Sequence, residues 1–586
     1  MYRIKMATIG LYRRLPEIGS YQDGCRGPIP EGATSANTSS LRSALCLFFH
    51  RVFRIVVILS LTYAQKPRLV IGIVIDQMRA DYLWRFSYKR GGGFVRLLEE
   101  GLVFWNCHYP YFPTYTAPGH TSIYTGTTPA YHGIVANTWY DRALHQNFYC
   151  VTDTTVRSVG TLTTAGRRSP RALWASTITD ELRYASRFQS KVIGIALKDR
   201  SAILPGGRTA SLALWFDIKV GRWITSSYYT DTLPSWVEDF NGRHYPDSLL
   251  KLPWRLSHGH ICIDESPYEG KIREATTFPH RPASYEELLL TPAGNWLTLQ
   301  LARQAIEAEK LGQRRGRTDF LAISLSSTDL AGHHFGTESC EIEEIYSALD
   351  KHLGDFLSYL TRKFRREDIL LFLTADHGAA PTPEVLAEKG WHAGRFPTKD
   401  LTAEAQAYLR RMMHLSDTLN PIVATINQNF YLSDRLSPSQ RREAMYLLKH
   451  WLLHQKNIIQ AYTAEELAGS GSGPYSFEML QAGFSPSRSG DVIAVYAPGW
   501  IEHEGYTVGT THGSIWSYDT HVPLVWWGGG INNGAIYERV PITAIAPTLA
   551  FILRTPIPSA AFTPPLIEVL RQWKQPRHEV PPEGGQ

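Results

Sequence analysis

The fold is decided by a short apolar stretch, Leu69-Val70-Ile71-Gly72-Ile73-Val74-Ile75, which ends at the acidic residue Asp76. A continuous apolar run of this length is typical of a β-strand that is covered on both faces. Three later runs of the same kind lead into polar residues, namely Lys198, Asp329 and the pair Asp376-His377. Two more runs lie near the end of the chain, at 492–496 and 524–527.

Helical patterns alternate with these apolar runs. The clearest one repeats apolar residues three and four positions apart from Ile342 to Leu360. Alternating strands and helices predict an α/β fold, a three-layer α/β/α sandwich with a mostly parallel central sheet. Ligands of such folds bind beyond the carboxyl ends of the strands, and this is where the polar residues follow the apolar runs.

The composition is that of a globular protein. The chain has 586 residues, of which 43% are hydrophobic and 19% charged, and this excludes a disordered protein. Residues 1–64 contain eight Lys/Arg and three Asp/Glu, so they carry five of the six net positive charges. The remaining body is nearly neutral, so we do not expect it to bind nucleic acid.

The leader at residues 1–64 predicts export. Arg51 and Arg54 precede the apolar segment 55–61, and small residues follow up to Ala64. This order is typical of a secretory signal peptide cleaved after Ala64, which predicts a periplasmic or secreted protein. An uncleaved N-terminal membrane anchor is the alternative, although the apolar run is short for a membrane span.

We expect the body to be divided by insertions. The predicted core comprises residues 65–386, with an irregular, aromatic insertion at about 201–290, and residues 491–569. Residues 387–490 are predicted to form an inserted cap subdomain, and residues 570–586 a polar tail. Within the cap, the pairs Ser437/Gln440 and Thr463/Glu466 have the spacing of capping boxes and predict two helix starts.

Four of the six cysteines follow the leader, and they are compatible with disulfides in an exported protein. They are Cys107, Cys150, Cys262 and Cys340. No pair has C-x-x-C spacing, so a zinc site built from cysteines is not expected.

The candidate metal ligands are acidic residues and histidines near the ends of the apolar runs. Asp329 and His333 have i, i+4 spacing, which places both side chains on one face of a helix. A set of Asp and His donors without cysteine suits catalytic zinc. Two groups of three such donors could hold the two neighbouring metal ions that many phosphoryl-transfer enzymes use. The six candidates are Asp76, Asp329, His333, Asp376, His377 and His512, with His521 as the alternative to His512.

The candidate nucleophile is Thr116, which precedes an apparent helix start at Pro118-Gly119. The N-terminus of a helix offers free backbone N–H groups to phosphate oxygens. A threonine hydroxyl is a weak nucleophile unless a nearby metal lowers its pKa, so this position requires the metal site beside it.

The chain resembles the alkaline phosphatase superfamily, and within it the PafA-type alkaline phosphatases of the type I phosphodiesterase/nucleotide pyrophosphatase branch. The resemblance covers about residues 68–565. It is carried by seven collinear motifs: Val74-Ile75-Asp76-Gln77-Met78-Arg79, Thr116-Ala117-Pro118-Gly119-His120, His132-Gly133-Ile134-Val135-Ala136-Asn137, Lys198-Asp199-Arg200, Asp329-Leu330-Ala331-Gly332-His333, Ala375-Asp376-His377-Gly378 and Thr511-His512-Gly513-Ser514.

The resemblance implies a monomeric phosphatase with two zinc ions that hydrolyses small phosphate monoesters through a phospho-threonine intermediate at Thr116. It assigns one zinc to Asp76, Asp376 and His377, with Thr116 as a further ligand, and the other to Asp329, His333 and His512. It also implies that Asn137, Lys198 and Arg200 contact the transferred phosphoryl group. Other histidines, among them His120, His132, His334 and His521, are expected to have structural roles.

Three alternative functions differ in what they require. A phosphodiesterase or nucleotide pyrophosphatase would use the same ligands, and the Trp/Tyr-rich stretch 211–254 could provide its pocket for the second ester group. The pair Lys198 and Arg200 favours the more anionic monoester instead. A sulfatase needs a modified Cys or Ser where this chain has Thr116, and a non-catalytic binding protein predicts lost ligands, whereas all six are present.

Overall fold

The computed structural model of the protein describes residues 66–86, 88, 91–257, 262, 266–502 and 508–574. The predicted leader, with its signal peptide or anchor, lies outside the described residues. Within the described ranges, no helix combines the length and the apolar character that a membrane span requires.

The described strands form one large sheet and three small ones. In chain order they are β1 (Leu69–Ile75), β2 (Leu102–His108), β3 (Thr138–Asp141), β4 (Gln146–Tyr149), β5 (Ser158–Val159), β6 (Val192–Ala196), β7 (Leu212–Asp217), β8 (Arg222–Ser226), β9 (Asp319–Leu325), β10 (Ile369–Thr374), β11 (Gly394–Phe396), β12 (Ile422–Ile426), β13 (Asn429–Leu432), β14 (Ile458–Thr463), β15 (Val492–Tyr496), β16 (Trp500–Glu502), β17 (His521–Gly528), β18 (Gly534–Ile536) and β19 (Val540–Pro541).

The large sheet contains eleven of these described strands, in the order β18-β2-β17-β10-β1-β9-β6-β7-β8-β5, with β19 paired to β2. Its centre is parallel, since β10, β1, β9, β6 and β7 all run in one direction, while β17 and β8 run against them. The central strands are fully buried, as their continuous apolar sequences predict.

Helices cover the sheet on both sides, which confirms the predicted three-layer α/β/α sandwich. One layer contains α2, α10 and α12, and the other contains α3, α5, α6 and α19. The described helices are α1 (Tyr82–Arg85), α2 (Gly93–Glu100), α3 (Thr116–Thr125), α4 (Pro129–His132), α5 (Ile178–Ala185), α6 (Asp199–Gly206), α7 (Ser235–Asn241), α8 (Tyr245–Leu249), α9 (Tyr285–Leu289), α10 (Pro292–Ala308), α11 (Ser327–Phe335), α12 (Cys340–Lys363), α13 (Pro383–Glu388), α14 (Thr398–Met412), α15 (Pro438–Leu453), α16 (Ala464–Ala468), α17 (Tyr475–Gly483), α18 (Ser517–Thr520), α19 (Ile545–Leu553) and α20 (Ile567–Lys574).

A second, four-stranded sheet lies within the region for which a cap was predicted. It has the order β12-β13-β15-β14 and is antiparallel. Helices α14 and α15 contribute to its own apolar core. Both predicted capping boxes are present, at the starts of α15 and α16. The sheet includes β15, so its strand pairing extends to Tyr496, beyond the expected boundary at residue 490.

Two expected boundaries differ from the structure. The insertion predicted at 201–290 begins with ordinary core elements, because α6, β7 and β8 continue the layer and the sheet. The tail predicted at 570–586 begins too early, because α20 extends to Lys574 and buries Leu570 and Trp573 in the main core.

The cysteines form one disulfide among the described residues, between Cys262 and Cys340. Cys340 is the first residue of α12. Cys107 and Cys150 are free thiols in the buried interior, so the structure joins two of the four cysteines that an exported protein could have paired.

Candidate metal centre and nucleophile

The register of the parallel strands brings the acidic strand ends together. Strand β1 pairs with β10 so that Val74 lies opposite Thr374. Asp76 and Asp376 follow these two residues at the same distance along their chains. On its other side, β1 pairs with β9, and α11 begins two residues after β9 and carries Asp329. Three buried carboxylates therefore meet at one edge of the sheet.

Two groups of three potential ligands result, and their members match the six candidates. Asp76, Asp376 and His377 offer one donor atom each, and these atoms lie within 4.8 Å of one another. Asp329, His333 and His512 do the same. We call these groups triplet 1 and triplet 2. They are adjacent, because the imidazole rings of His377 and His512 stack with centroids 3.5 Å apart.

Each histidine of the triplets is oriented by a backbone carbonyl. The Nδ1 atoms of His377, His333 and His512 lie 2.8–2.9 Å from the carbonyl oxygens of Gly378, Thr510 and Thr114, respectively. Since a carbonyl only accepts, Nδ1 carries the proton in all three rings and Nε2 keeps its lone pair. This is the tautomer and the support by a second hydrogen bond that metal-binding histidines show in proteins.

Two of the three carboxylates, those of Asp76 and Asp329, share one lysine. The Lys198 ammonium donates to Asp76 Oδ2 at 2.7 Å and also to Asp329 Oδ2. Burial raises the pKa of Asp76 well above its usual range, and the neighbouring carboxylates of Asp329 and Asp376 raise it further. Burial also opposes ionisation of Asp329, but Lys198 and His333 hold its pKa well below its usual range. The Lys198 ammonium thus contacts two of the three carboxylates, and this excess of negative charge favours bound cations.

His512 and His377 remain neutral near pH 7. Burial lowers the pKa of His512 well below its usual value, and the neighbouring rings of His377 and His333 lower it further. Burial also lowers the pKa of His377. Neutral imidazole is the form that binds a metal ion, so both rings are in the ligand state at neutral and alkaline pH.

Thr116 is the first residue of α3 and is fully buried beside triplet 1. Its Oγ1 lies 3.4 Å from His377 Nε2. The helix approaches the Asp376 segment so closely that a Cβ at Gly119 would lie 2.2 Å from the Asp376 carbonyl oxygen. The helix starts at Thr116 itself, two residues earlier than expected, and this places the hydroxyl at the helix N-terminus.

The other predicted contact residues lie around Thr116 and the carboxylates. Asn137 accepts from the Ala117 backbone N–H at 2.9 Å, which leaves its side-chain NH₂ group to donate. Arg200 donates to the hydroxyl of Tyr149 at 3.1 Å, and that hydroxyl donates to Asp199. Sequence reasoning gave no role to Tyr149, since the strand β4 that carries it has no pattern that points to the site.

His521, the alternative ligand, lies outside both triplets. Its Nε2 donates to the Trp105 carbonyl at 2.8 Å, and its ring stacks on His108. His132 and His334 also lie outside the triplets. His132 is hydrogen-bonded to Ser122, and His334 is hydrogen-bonded to the Lys271 carbonyl. His120 is closer to the site, since its Nδ1 lies 2.9 Å from the Thr116 carbonyl and 3.2 Å from Asp376 Oδ2.

Sequence reasoning missed a further residue of the site. Gln77 follows Asp76, and its side-chain amide donates to Asp329 Oδ1 at 3.0 Å. Its backbone N–H donates to Asp376 Oδ1 at 3.2 Å. Its position directly after a predicted ligand was the only available signal, because the Asp329 contact spans 252 residues of the chain.

The donor set fits a pair of divalent cations. Each triplet combines carboxylate oxygen with imidazole nitrogen, the ligands of catalytic zinc, and leaves room for a further ligand. Asp76 Oδ1 is buried and has no hydrogen-bond partner among the described residues. A buried carboxylate oxygen without a partner is expected where the oxygen binds a cation.

Comparison with known proteins agrees with this geometry. The sequence model of the type I phosphodiesterase / nucleotide pyrophosphatase family matches residues 70–516. A Myroides odoratus protein named calcium-transporting ATPase is 38% identical over 550 residues, which is 91% of this chain and 99% of that protein. Alkaline phosphatase PafA of Elizabethkingia meningoseptica is 38% identical over 524 residues, 86% of this chain and 95% of the relative.

The fold agrees as well. The crystal structure of wild-type alkaline phosphatase PafA superposes with a TM-score of 0.81 at 37% identity, over 86% of this chain and 99% of that one. Since the family match extends over more than half of the sequence and the relatives align almost from end to end, this chain belongs to the type I phosphodiesterase / nucleotide pyrophosphatase family.

Proposed function

We propose that this protein is a zinc-dependent alkaline phosphatase that hydrolyses phosphate monoesters through a phospho-threonine intermediate. The observation that carries the proposal is the convergence of triplet 1 and triplet 2 beside the hydroxyl of Thr116. The similarity to alkaline phosphatase PafA supports the reaction class.

Asp76, Asp376 and His377 would hold one zinc ion, and Asp329, His333 and His512 the other. When bound, the ions supply Lewis acidity that lowers the pKa of the Thr116 hydroxyl and stabilises negative charge on the leaving-group oxygen. The protein prepares these sites, because the carbonyls of Gly378, Thr510 and Thr114 fix the Nε2 atoms of the three histidines toward the ligand positions.

Thr116 acts as the nucleophile. Its hydroxyl gives its proton to water, and its oxygen forms a bond to phosphorus while the bond from phosphorus to the ester oxygen breaks. The alkoxide that leaves takes a proton from water and departs as the alcohol. In a second step, water attacks the phospho-threonine, which releases inorganic phosphate and restores the hydroxyl. The start of α3 supports both steps, since the partial positive charge of a helix N-terminus stabilises negative charge that accumulates beside Thr116.

Lys198 and Arg200 favour a monoester over a diester, while Asn137 would donate a hydrogen bond to the phosphoryl group. The Lys198 ammonium lies between a carboxylate of each triplet, so it borders the space that the phosphoryl group must enter. The Arg200 guanidinium is held by Tyr149, which Asp199 fixes in turn. A monoester carries one more negative charge than a diester, so two cationic side chains stabilise it more strongly.

The diesterase alternative depends on the aromatic residues near the site. It expects the Trp/Tyr-rich stretch 211–254 to supply an aromatic pocket for the second ester group. The four tryptophans of this stretch are buried in the protein interior and none is more than 9% exposed: Trp215, Trp223, Trp236 and Trp254. They pack mainly in the interior, but Trp215 lines a cavity that Lys198 and Asp199 also line, and Tyr228 of the same stretch is exposed.

The remaining features of the proposal concern the whole chain. We propose that the leader directs export to the periplasm or the medium, and that the core bears the site while the cap around the second sheet is an inserted subdomain. The protein acts as a monomer on small phosphate esters.

The test compares turnover of an aryl phosphate monoester with that of its methyl diester and of ATP, each with and without a chelator. ATP is included because one relative is named as an ATPase. We expect the monoester to be the best substrate. The chelator should abolish its turnover, and added zinc should restore it. A higher kcat/KM for the diester would favour the diesterase, and full activity in chelator would refute the metal-dependent reaction.

A further inference from the structure

Gln77 occupies a backbone conformation that glycine would adopt more easily. It follows Asp76 in a tight turn, closed by a hydrogen bond of 3.3 Å from the Met78 N–H to the Ile75 carbonyl. Its φ is +65°, in the left-handed region that side chains other than glycine rarely enter. Its side chain is also almost fully buried. A glutamine at this position therefore needs a compensating role for its side chain.

The contacts of Gln77 reach both triplets. Its backbone N–H donates to Asp376 of triplet 1 at 3.2 Å, and its side-chain amide donates to Asp329 of triplet 2 at 3.0 Å. The accepting atom on Asp329 is Oδ1, which also lies 3.2 Å from His333 Nε2 and 3.6 Å from His512 Nε2. It is therefore the Asp329 oxygen that shares a site with both histidines.

Helix α11 leaves space for this contact. A Cβ at Gly332 would lie 1.7 Å from Gln77 Oε1, so any larger residue would displace the amide. Gly332 lies three residues after Asp329 and directly before His333, on the helix that carries both ligands. The glutamine side chain thus lies across the ligand-bearing part of the helix.

We propose that Gln77 is a positioning residue of the metal centre, which orients Asp329 for triplet 2 through its side-chain amide and Asp376 for triplet 1 through its backbone N–H. This inference rests on the proposed function, because it assumes that the triplets hold metal ions. It predicts a separable effect, since replacing the side chain removes only the contact with triplet 2.

The test is the substitution Gln77→Gly, which keeps the backbone N–H and suits the left-handed conformation. Zinc affinity is measured by competition with a chelator of graded concentration, using the full-length protein. Loss of a residue that supports a ligand weakens metal binding by about 10–100-fold. We expect this loss for one of the two zinc ions, an unchanged affinity for the other, and a thermal midpoint of the zinc-free protein equal to or above that of the parent.

The matched control is Gln428→Gly. Gln428 is also a buried glutamine with a left-handed φ of +62°, but it lies in the turn between β12 and β13, and its N–H donates to Glu502. We expect this variant to bind both zinc ions as the parent does. The substitution Gln77→Glu should weaken the same ion as Gln77→Gly and by a larger factor, because a carboxylate would face Asp329 Oδ1.

The outcomes separate the inference from the proposed function. If the Gln77→Gly variant binds both zinc ions as tightly as the parent, or loses the same affinity for both, the positioning role is overturned. The bimetallic site itself would still stand in either case. A parent protein that binds no zinc would instead refute the proposed function itself.

Discussion

Replacing Lys198 with methionine tests whether its ammonium neutralises the Asp76 and Asp329 carboxylates in the zinc-free protein. The ammonium lies 2.7 Å from Asp76 Oδ2 and also contacts Asp329, and the lysine side chain is only 10% exposed. Removing one partner of a buried ion pair destabilises a protein by about 3–5 kcal/mol, because the opposite charge is left uncompensated. We therefore expect the zinc-free Lys198→Met variant to unfold at a lower temperature than the parent.

The expected shift follows from the size of the body. Unfolding entropy is about 2 cal/mol/K per residue, which gives about 1 kcal/mol/K for roughly 500 residues. A loss of about 3–5 kcal/mol then lowers the Tm by about 3–5 °C. Excess zinc should reduce the shift to at most about half of this, because the cations then supply the positive charge that Asp76 and Asp329 require. The assay is differential scanning fluorimetry at one scan rate, in chelator and in zinc.

Lys191→Met is the matched control, since Lys191 pairs with Glu309 at a partly exposed position, where the two side chains are 32% and 23% exposed. Such a pair contributes about 0–1 kcal/mol, so its Tm shift should stay below about 1 °C and should not depend on zinc. An equal Tm loss for Lys198→Met with and without zinc, or no loss in chelator, would refute the reasoning.

Three further predictions concern catalysis and pH. Thr116→Ala should lower monoester turnover by at least about 10³-fold and leave the zinc content unchanged, and parent-like turnover would refute the nucleophile. The double variant Lys198→Ala/Arg200→Ala should lose about 10²-fold more kcat/KM on a monoester than on its diester, and equal losses would favour the diesterase. Burial raises the pKa of Asp519 to about 7. The folded protein therefore keeps a proton that the unfolded chain releases near pH 4. Because of this difference, the free energy of unfolding falls as pH rises from about 4 to about 7. Asp519→Asn should therefore gain Tm relative to the parent between pH 5 and pH 8, and a constant difference would contradict the shift.

The sequence was sufficient to predict the sheet and the proximity of most candidate ligands, because parallel strands end at one edge. Asp76 and Asp376 follow paired strands in matching register, and Asp329 and His333 lie on one helix at i, i+4. His512 carries no such signal. It lies in a loop, its orientation depends on the Thr114 carbonyl, and only the family resemblance distinguished it from His521.

Tertiary contacts explain what the sequence did not predict. Strand β7 was assigned to an irregular insertion because the Trp/Tyr-rich stretch around it breaks the alternation of strands and helices, whereas Trp215 and Phe216 pack inside the fold. Residues 570–574 of α20 were assigned to a polar tail, although Leu570 and Trp573 are buried in the main core. Gln77 was missed because its role depends on two contacts with distant parts of the chain.

The most direct test of the central claim is an anomalous difference map from zinc-loaded crystals, collected at the zinc absorption edge. The account predicts two peaks, one among Asp76, Asp376 and His377 and the other among Asp329, His333 and His512, about 3.5–4 Å apart. No peak in either triplet, or zinc bound only elsewhere on the protein, would contradict it.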